Sequence, residues 1–186
     1  SYLIVTLDGD KESVYDRFEK LKAQVFKNGA MEVIPLDDPN VAKDIWEIRG
    51  AIARAVNASG MWEPVDIVVP LNKITPFVEY VDYVSSHGGP RIVAFGHAGD
   101  GNVHLCVLKD SIENTAWPKV LHDTMEKLYK KAYELGGVVS GEHGVGKGKR
   151  DFLLQNIAPE QRELMLGIKK AFDPDNLLNP HSGYAL

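Results

Sequence analysis

The stretch RIVAFGHAGDGNVHLCVL, residues 91–108, decides the fold. Two apolar runs, Arg91 to Gly96 and Val103 to Leu108, flank Asp100-Gly101, a strong hairpin signal because a type I′ turn requires positive φ at both central positions. Centring the turn there pairs Gly99 with Asn102, Ala98 with Val103 and His97 with His104. The two imidazoles then become direct cross-strand neighbours on one face, with Cβ atoms ~5 Å apart. The same alternation places Phe95 and Cys106 on that face.

Outward from the hairpin, apolar runs predict further strands at Leu3 to Leu7, Met31 to Leu36, Val65 to Val69 and Val138 to Ser140. Helical patterns fill the intervals. One runs from about Glu12 to Lys27; the next opens at Asp38-Pro39, where Asp caps and Pro suits the first turn. In that helix Val41, Ile45, Ile48, Ile52 and Val56 recur at three- and four-residue spacing and predict one core-facing stripe. A third helix covers about Thr75 to Ser86. A long one carries Leu121, Met125, Leu128, Ala132 and Leu135 and ends at Gly136-Gly137. Two more lie near Lys149 to Asn156 and Glu160 to Phe172, the last stopped by Asp173-Pro174. Strand-helix-strand units combined with one hairpin predict an α+β fold of ferredoxin-like type, a mixed or antiparallel sheet with helices mainly on one face. No repeat, low-complexity tract or obvious linker interrupts residues 1–186, which read as one domain.

The composition narrows the function. A 186-residue chain with 44% hydrophobic and 25% charged residues is that of an ordinary globular protein. The net charge of -5 argues against nucleic acid as a main partner, and Lys147, Lys149 and Arg150 are too small a basic cluster to reverse that. A lone cysteine, Cys106, excludes an intrachain disulfide and makes a reducing compartment the default. No apolar run approaches the ~20 residues that span a bilayer, so the expected location is cytoplasmic, at most peripheral to a membrane. The run YLIVTL at residues 2–7 already reads as a buried strand, which suggests a piece of something longer.

The chemistry-bearing residues are His97 and His104 in GHAGDGNVH and Glu142 and His143 in GEHGVGKGKR. Two imidazoles and a carboxylate fill three positions of a catalytic metal and leave one for substrate; such donors admit Zn, Mn or Fe. The plainer alternative is a pair of core histidines bonded to carbonyls, but registration across a glycine turn favours metal. Cys106 reads as a small buried filler. Adjacent side chains on an extended backbone diverge, so Glu142 and His143 divide their labour, Glu142 as third ligand and His143 as nearby base. GEHGVGKG nearly matches a phosphate-binding loop, but Gly148 stands where Ser or Thr should meet Mg²⁺, and Glu142 would repel phosphate. Arg49, three residues after Trp46 and four before Ala53, either captures a carboxylate from a helix or reaches out to solvent; pattern leaves both open.

GHAGDGNVHL, GGVVSGEHGVGKGKR and IKKAFDPDNLLNP, in that order, resemble the C-terminal half of FAD-linked oxidases of the glycolate oxidase subunit, D-lactate dehydrogenase and D-2-hydroxyglutarate dehydrogenase group, within the vanillyl-alcohol oxidase superfamily. LIVTLDGD, IWEIRGAI and VDIVVPLNKI fit the same half, so the resemblance covers essentially the whole chain. It implies a substrate-side cap whose FAD is bound mainly by a preceding half missing from this chain, so that the fragment alone is inactive. It further implies His97, His104 and Glu142 as ligands of a divalent metal, His143 as catalytic base in contact with substrate, and Arg49 as carboxylate anchor. Asn179, before Pro180, matches a segment that in this family folds back toward the flavin, which implies a cofactor contact for it. The implied partners are a small 2-hydroxy acid, the missing FAD-binding half and an electron acceptor. Departures bear on substrate: Leu105-Cys106 replaces a common Leu-Asn, Ala53 and Pro64 stand where the 2-hydroxyglutarate branch uses threonine and lysine, and the usual NPGK ending is NPHSG. Lactate or glycolate therefore fits better than a diacid. The alternative function is a stand-alone metal-binding or metallohydrolase domain.

Overall fold

A computed structural model describes residues 1–180 and 182. The described chain forms two compact units, one of Ser1–Ala51 and one from Ile52 onward.

The first unit carries helices α1 (Lys11–Lys27) and α2 (Pro39–Gly50). Asp10 and Asp38 cap them, their carboxylates accepting from the amides of Ser13 at 2.9 Å and Asn40 at 2.8 Å, which satisfies donors the helix itself leaves orphaned. The expected strands at residues 3–7 and 31–36 are not formed: neither segment has regular secondary structure or a ladder partner, and Leu3, Val5, Met31 and Ile34 are exposed. An apolar run becomes a strand only where another strand completes its hydrogen bonds. The single stripe from Val41 to Val56 is likewise corrected. Helix stops at Gly50, Ala51 intervenes, and α3 (Ile52–Ala58) starts anew, leaving Val41 and Ile48 exposed and Val56 buried. Glycine, with its high helix-propensity cost, sits at that break.

The second unit runs α3, β1 (Trp62–Val68), a short 3-10 turn (Leu71–Lys73), α4 (Ile74–Ser86), β2 (Ile92–His97), β3 (Asn102–Leu108), α5 (Trp117–Glu134), α6 (Arg150–Leu154) and α7 (Pro159–Phe172). The sheet order is β1-β3-β2, antiparallel throughout. The predicted strand at Val138 to Ser140 contracts to one antiparallel bridge, Val68 with Val138, on the free edge of β1. Counting that bridge as a vestigial fourth strand gives the βαββαβ order and 4-1-3-2 arrangement of a ferredoxin-like α+β fold.

Alternation sorts the strands into two faces. Val65, Ile67, Val103, Leu105 and Val107 point inward onto Phe77 and Val81 of α4 and onto Met125, Leu128, Tyr129 and Ala132 of α5. The α5 residues follow helical spacing, so one stripe of that helix covers the sheet. The opposite face divides along its length. Toward Leu108 it is apolar, with Val56, Cys106 and Leu108 buried among Ile52, Trp62, Val93 and Phe95. Toward Asn102 it turns polar, and there the functional side chains collect. No helix among the described residues is long and apolar enough to cross a membrane.

Candidate metal centre

The hairpin delivers both histidines to one face, but in a register different from the expected one. His97 pairs with Asn102 and His104 with Phe95, two residues from the predicted alignment, and Ala98 to Gly101 form a four-residue connection. The type I′ turn fails because only Gly101 has positive φ, at 73°; Asp100 is not left-handed, and its amide instead closes a turn onto the His97 carbonyl at 3.1 Å. Gly101 is also wedged against β1, where a Cβ would lie 2.1 Å from the Val69 carbonyl oxygen. Since strand side chains have a period of two, a two-residue shift preserves the face. His97 and His104 meet diagonally, edge to face, with ring centroids 5.4 Å apart, and Phe95 flanks His104 at 5.5 Å.

On the other side of β3, β1 places Asp66 directly opposite His104. Asp66 is completely buried. A charge there needs several partners, and the glycine-rich loop supplies them. One carboxylate oxygen, Oδ2, accepts the Ser140 hydroxyl at 2.9 Å and three successive amides, Gly141 at 3.0 Å, Glu142 at 3.0 Å and His143 at 2.9 Å. The Lys149 ammonium stands 3.7 Å away. Burial pushes the Asp66 carboxyl up, but the His143 and Glu142 amides, the Ser140 hydroxyl and the Lys149 charge outweigh it and hold it at about 2. Gly141 makes the approach possible: a Cβ there would lie 2.6 Å from Val68 Cγ2 and 2.8 Å from Asn102 Nδ2.

With the loop so anchored, the Glu142 carboxylate lies among three imidazoles. Its Oε1 is 3.0 Å from His104 Nε2, 4.0 Å from His97 Nε2 and 3.9 Å from His143 Nε2. The His143 ring stacks on His104, centroids 5.1 Å apart and planes 18° from parallel. His97, His104 and Glu142 each present a donor atom within 4.8 Å of the other two. Donors bonded to one ion at ~2 Å lie at most ~4 Å apart, so a small closure of the side chains would be needed for all three to share one ion. Two imidazole nitrogens and one carboxylate oxygen suit Zn, Mn or Fe. Burial chiefly, helped by the His143 and His97 charges, lowers the His104 pKa despite Asp66 and Glu142, a direction that favours the neutral ring. His104 is almost enclosed, whereas His97, Glu142 and His143 are about half exposed, so that side of the cluster is open to solvent.

The structure therefore gathers His97, His104, Glu142 and His143 in one place. Arg49 belongs to the first unit, half-buried in the last turn of α2. Asn179, exposed with φ 48°, lies on the turn after α7, where Asp173 accepts the amides of Leu177 and Leu178. Cys106 is buried at the apolar end, and burial raises its thiol pKa to about 11; it packs there as a filler. Sequence reading missed Asp66. Its signal was present: one acid in the strand run Val65 to Val69 must either face water or be buried with partners.

Comparison with known proteins agrees with the resemblance. The model of the family described as FAD linked oxidases, C-terminal domain, matches residues 1–182. The chain is 40% identical to a D-lactate dehydrogenase of Anaerostipes hadrus over 182 residues, 97% of this chain and 38% of the relative. It is 33% identical to the glycolate oxidase subunit GlcD of Bacillus subtilis over 187 residues, 98% of this chain and 39% of the relative. With a D-2-hydroxyglutarate dehydrogenase of Stutzerimonas stutzeri it shares 32% identity over 148 residues, 77% of this chain and 31% of the relative. The chain thus spans about two-fifths of the length of the first two relatives.

Proposed function

The chain belongs to the family of C-terminal domains of FAD-linked oxidases, and on that premise we propose that it is the metal- and substrate-binding part of an FAD-dependent dehydrogenase of small D-2-hydroxy acids, of the lactate or glycolate type. The observation that carries the reading is the convergence of His97, His104 and Glu142 beside His143 at the open end of one sheet face.

A divalent ion in this donor set supplies Lewis acidity at a substrate hydroxyl, and a flavin supplies the two-electron acceptor. His97, His104 and Glu142 would hold the ion, and the half-exposed side of the cluster is where a substrate would approach it. His143, stacked on His104 and half exposed, takes the proton of the 2-hydroxyl as hydride leaves C2, so the 2-hydroxy acid becomes a 2-oxo acid. Arg49 serves as the carboxylate anchor, a role that rests on the resemblance of its segment. Asn179 is assigned to the flavin side on the same basis. Most flavin contacts fall to the part of a longer protein that corresponds to the remainder of the relatives, and reoxidation falls to an electron-acceptor partner. The alternative of a metallohydrolase has no support among the relatives described, which are dehydrogenases and an oxidase subunit.

The substrate preference rests on the resemblance, in which Ala53 and Pro64 stand where the 2-hydroxyglutarate branch uses threonine and lysine. The test is anaerobic flavin bleaching in the full-length protein by D-lactate, glycolate and D-2-hydroxyglutarate. Rapid bleaching by the first or second and slow bleaching by the third is expected. Preference for the diacid would refute the substrate assignment, and no bleaching by any 2-hydroxy acid would refute the activity.

A further inference from the structure

We propose that Asp66 is the positioning residue of this metal centre, a single carboxylate that sets two of its three ligands: Glu142 through the loop amides and His104 through its Nδ1 proton. The proposal rests on the metal reading of the site and adds a residue that the donor set does not contain.

Each oxygen of Asp66 has its own task. Oδ2 gathers the amides of Gly141, Glu142 and His143 at 2.9–3.0 Å, so three consecutive N–H groups converge on one anion. Such a nest is commonly filled by a bound anion; here the chain fills it from a strand 75 residues away, counted from Gly141. The nest fixes the backbone at the residue that carries the ligand carboxylate, and so fixes where Glu142 starts. Oδ1 is buried without a hydrogen-bond partner, and so is Nδ1 of His104. These two atoms face each other at 3.7 Å, across the directly paired positions of β1 and β3.

An ionised carboxylate oxygen only accepts, so the two atoms satisfy one another only if His104 carries its proton on Nδ1. Leaving either buried atom unsatisfied costs ~1–3 kcal/mol, and a ring movement of under ~1 Å brings the pair to hydrogen-bond distance. The tautomer so selected leaves the lone pair on Nε2. That is the nitrogen 3.0 Å from Glu142 Oε1, on the side where an ion would sit. A carboxylate behind a ligating histidine fixes ring orientation and raises its basicity, and losing such a partner typically costs 10–100-fold in metal affinity.

Asp66→Asn separates this role from mere stapling of the loop. The amide oxygen can still accept the loop N–H groups, but the amide nitrogen then faces His104 and donates to Nδ1. That moves the histidine proton to Nε2, where it blocks metal. The experiment titrates Zn²⁺ and Mn²⁺ into the full chain and its Asp66→Asn variant, with circular dichroism to verify folding and long-range ¹H–¹⁵N correlation at saturating Zn²⁺, where Glu142 no longer competes for the Nε2 proton, to read the His104 tautomer. Expected are an Nδ1–H tautomer in the parent, Nε2–H in the folded variant, and a fall of ~10–100-fold in metal affinity. A variant that keeps the Nδ1–H tautomer and the parent's affinity overturns the proposal and leaves the metal centre standing. A parent that binds neither ion overturns the metal reading itself, and this proposal with it. If the variant does not fold, the parent's tautomer decides, because Nε2–H there contradicts the role of Asp66.

Discussion

At one end of the outer sheet face, Val56, Cys106 and Leu108 are buried among Ile52, Trp62, Val93 and Phe95; four residues along β3 from Leu108, ~14 Å away, His104 sits between Phe95 and Asp66. The same three strands build both ends, yet by different means. The apolar end needs only alternation along the strands and one short helix, so its residues come from neighbouring elements. The polar end is assembled from afar: Asp66 must capture a loop 74 to 77 residues later before Glu142 reaches the histidines. A packed face tolerates small errors by repacking, whereas a coordination site needs its donors set to within fractions of an ångström. The difference teaches that the apolar end anchors the sheet and the polar end uses that rigidity to gather His97, His104, Glu142 and His143.

The comparison can be broken most severely at His143. In the full-length flavoprotein, His143→Gln should slow flavin reduction by a 2-hydroxy acid ~10²–10⁴-fold, read by stopped-flow absorbance, with metal content unchanged; an unaltered rate would remove its role as base. His104→Ala should lower divalent-metal affinity by more than ~100-fold, since even a supporting partner of a ligand is worth 10–100-fold. Retention of parent affinity in a metal titration would remove His104 from the centre. At the apolar end the pattern should invert. Leu108→Ala should cost ~2–4 kcal/mol in denaturant unfolding while metal affinity stays within about twofold in the folded protein. Loss of metal there would show that the two ends are not separable. Smallest of all, Cys106→Ala should cost about 1 kcal/mol and leave metal binding intact; a large drop in affinity would make the thiol a ligand rather than a filler.

The same contrast explains what could be read from the sequence. The hairpin, the face shared by His97, His104, Phe95 and Cys106, and the helices α4 and α5 follow from local periodicity. The hairpin register was not legible, because Asp100-Gly101 signals a two-residue turn that Gly101 gives up in packing against the Val69 carbonyl. The runs at residues 3–7 and 31–36 have strand composition but no ladder partner in their own unit, and pairing is a property of two segments, not one. Glu142 and His143 could be named by their motif, yet not placed. Their position depends on Asp66, which shows in the sequence as one acid in a strand run, while the three amides it gathers are backbone groups that leave no side-chain signature.

The most direct test of the central claim is X-ray absorption at the metal edge, combined with anomalous diffraction, on the full-length protein loaded with one equivalent of Zn²⁺ or Mn²⁺. The account predicts a single ion bonded at ~2.0–2.2 Å to His97, His104 and Glu142, with Asp66 hydrogen-bonded behind His104. An ion lodged elsewhere, or one ligated without His104 and Glu142, would contradict it.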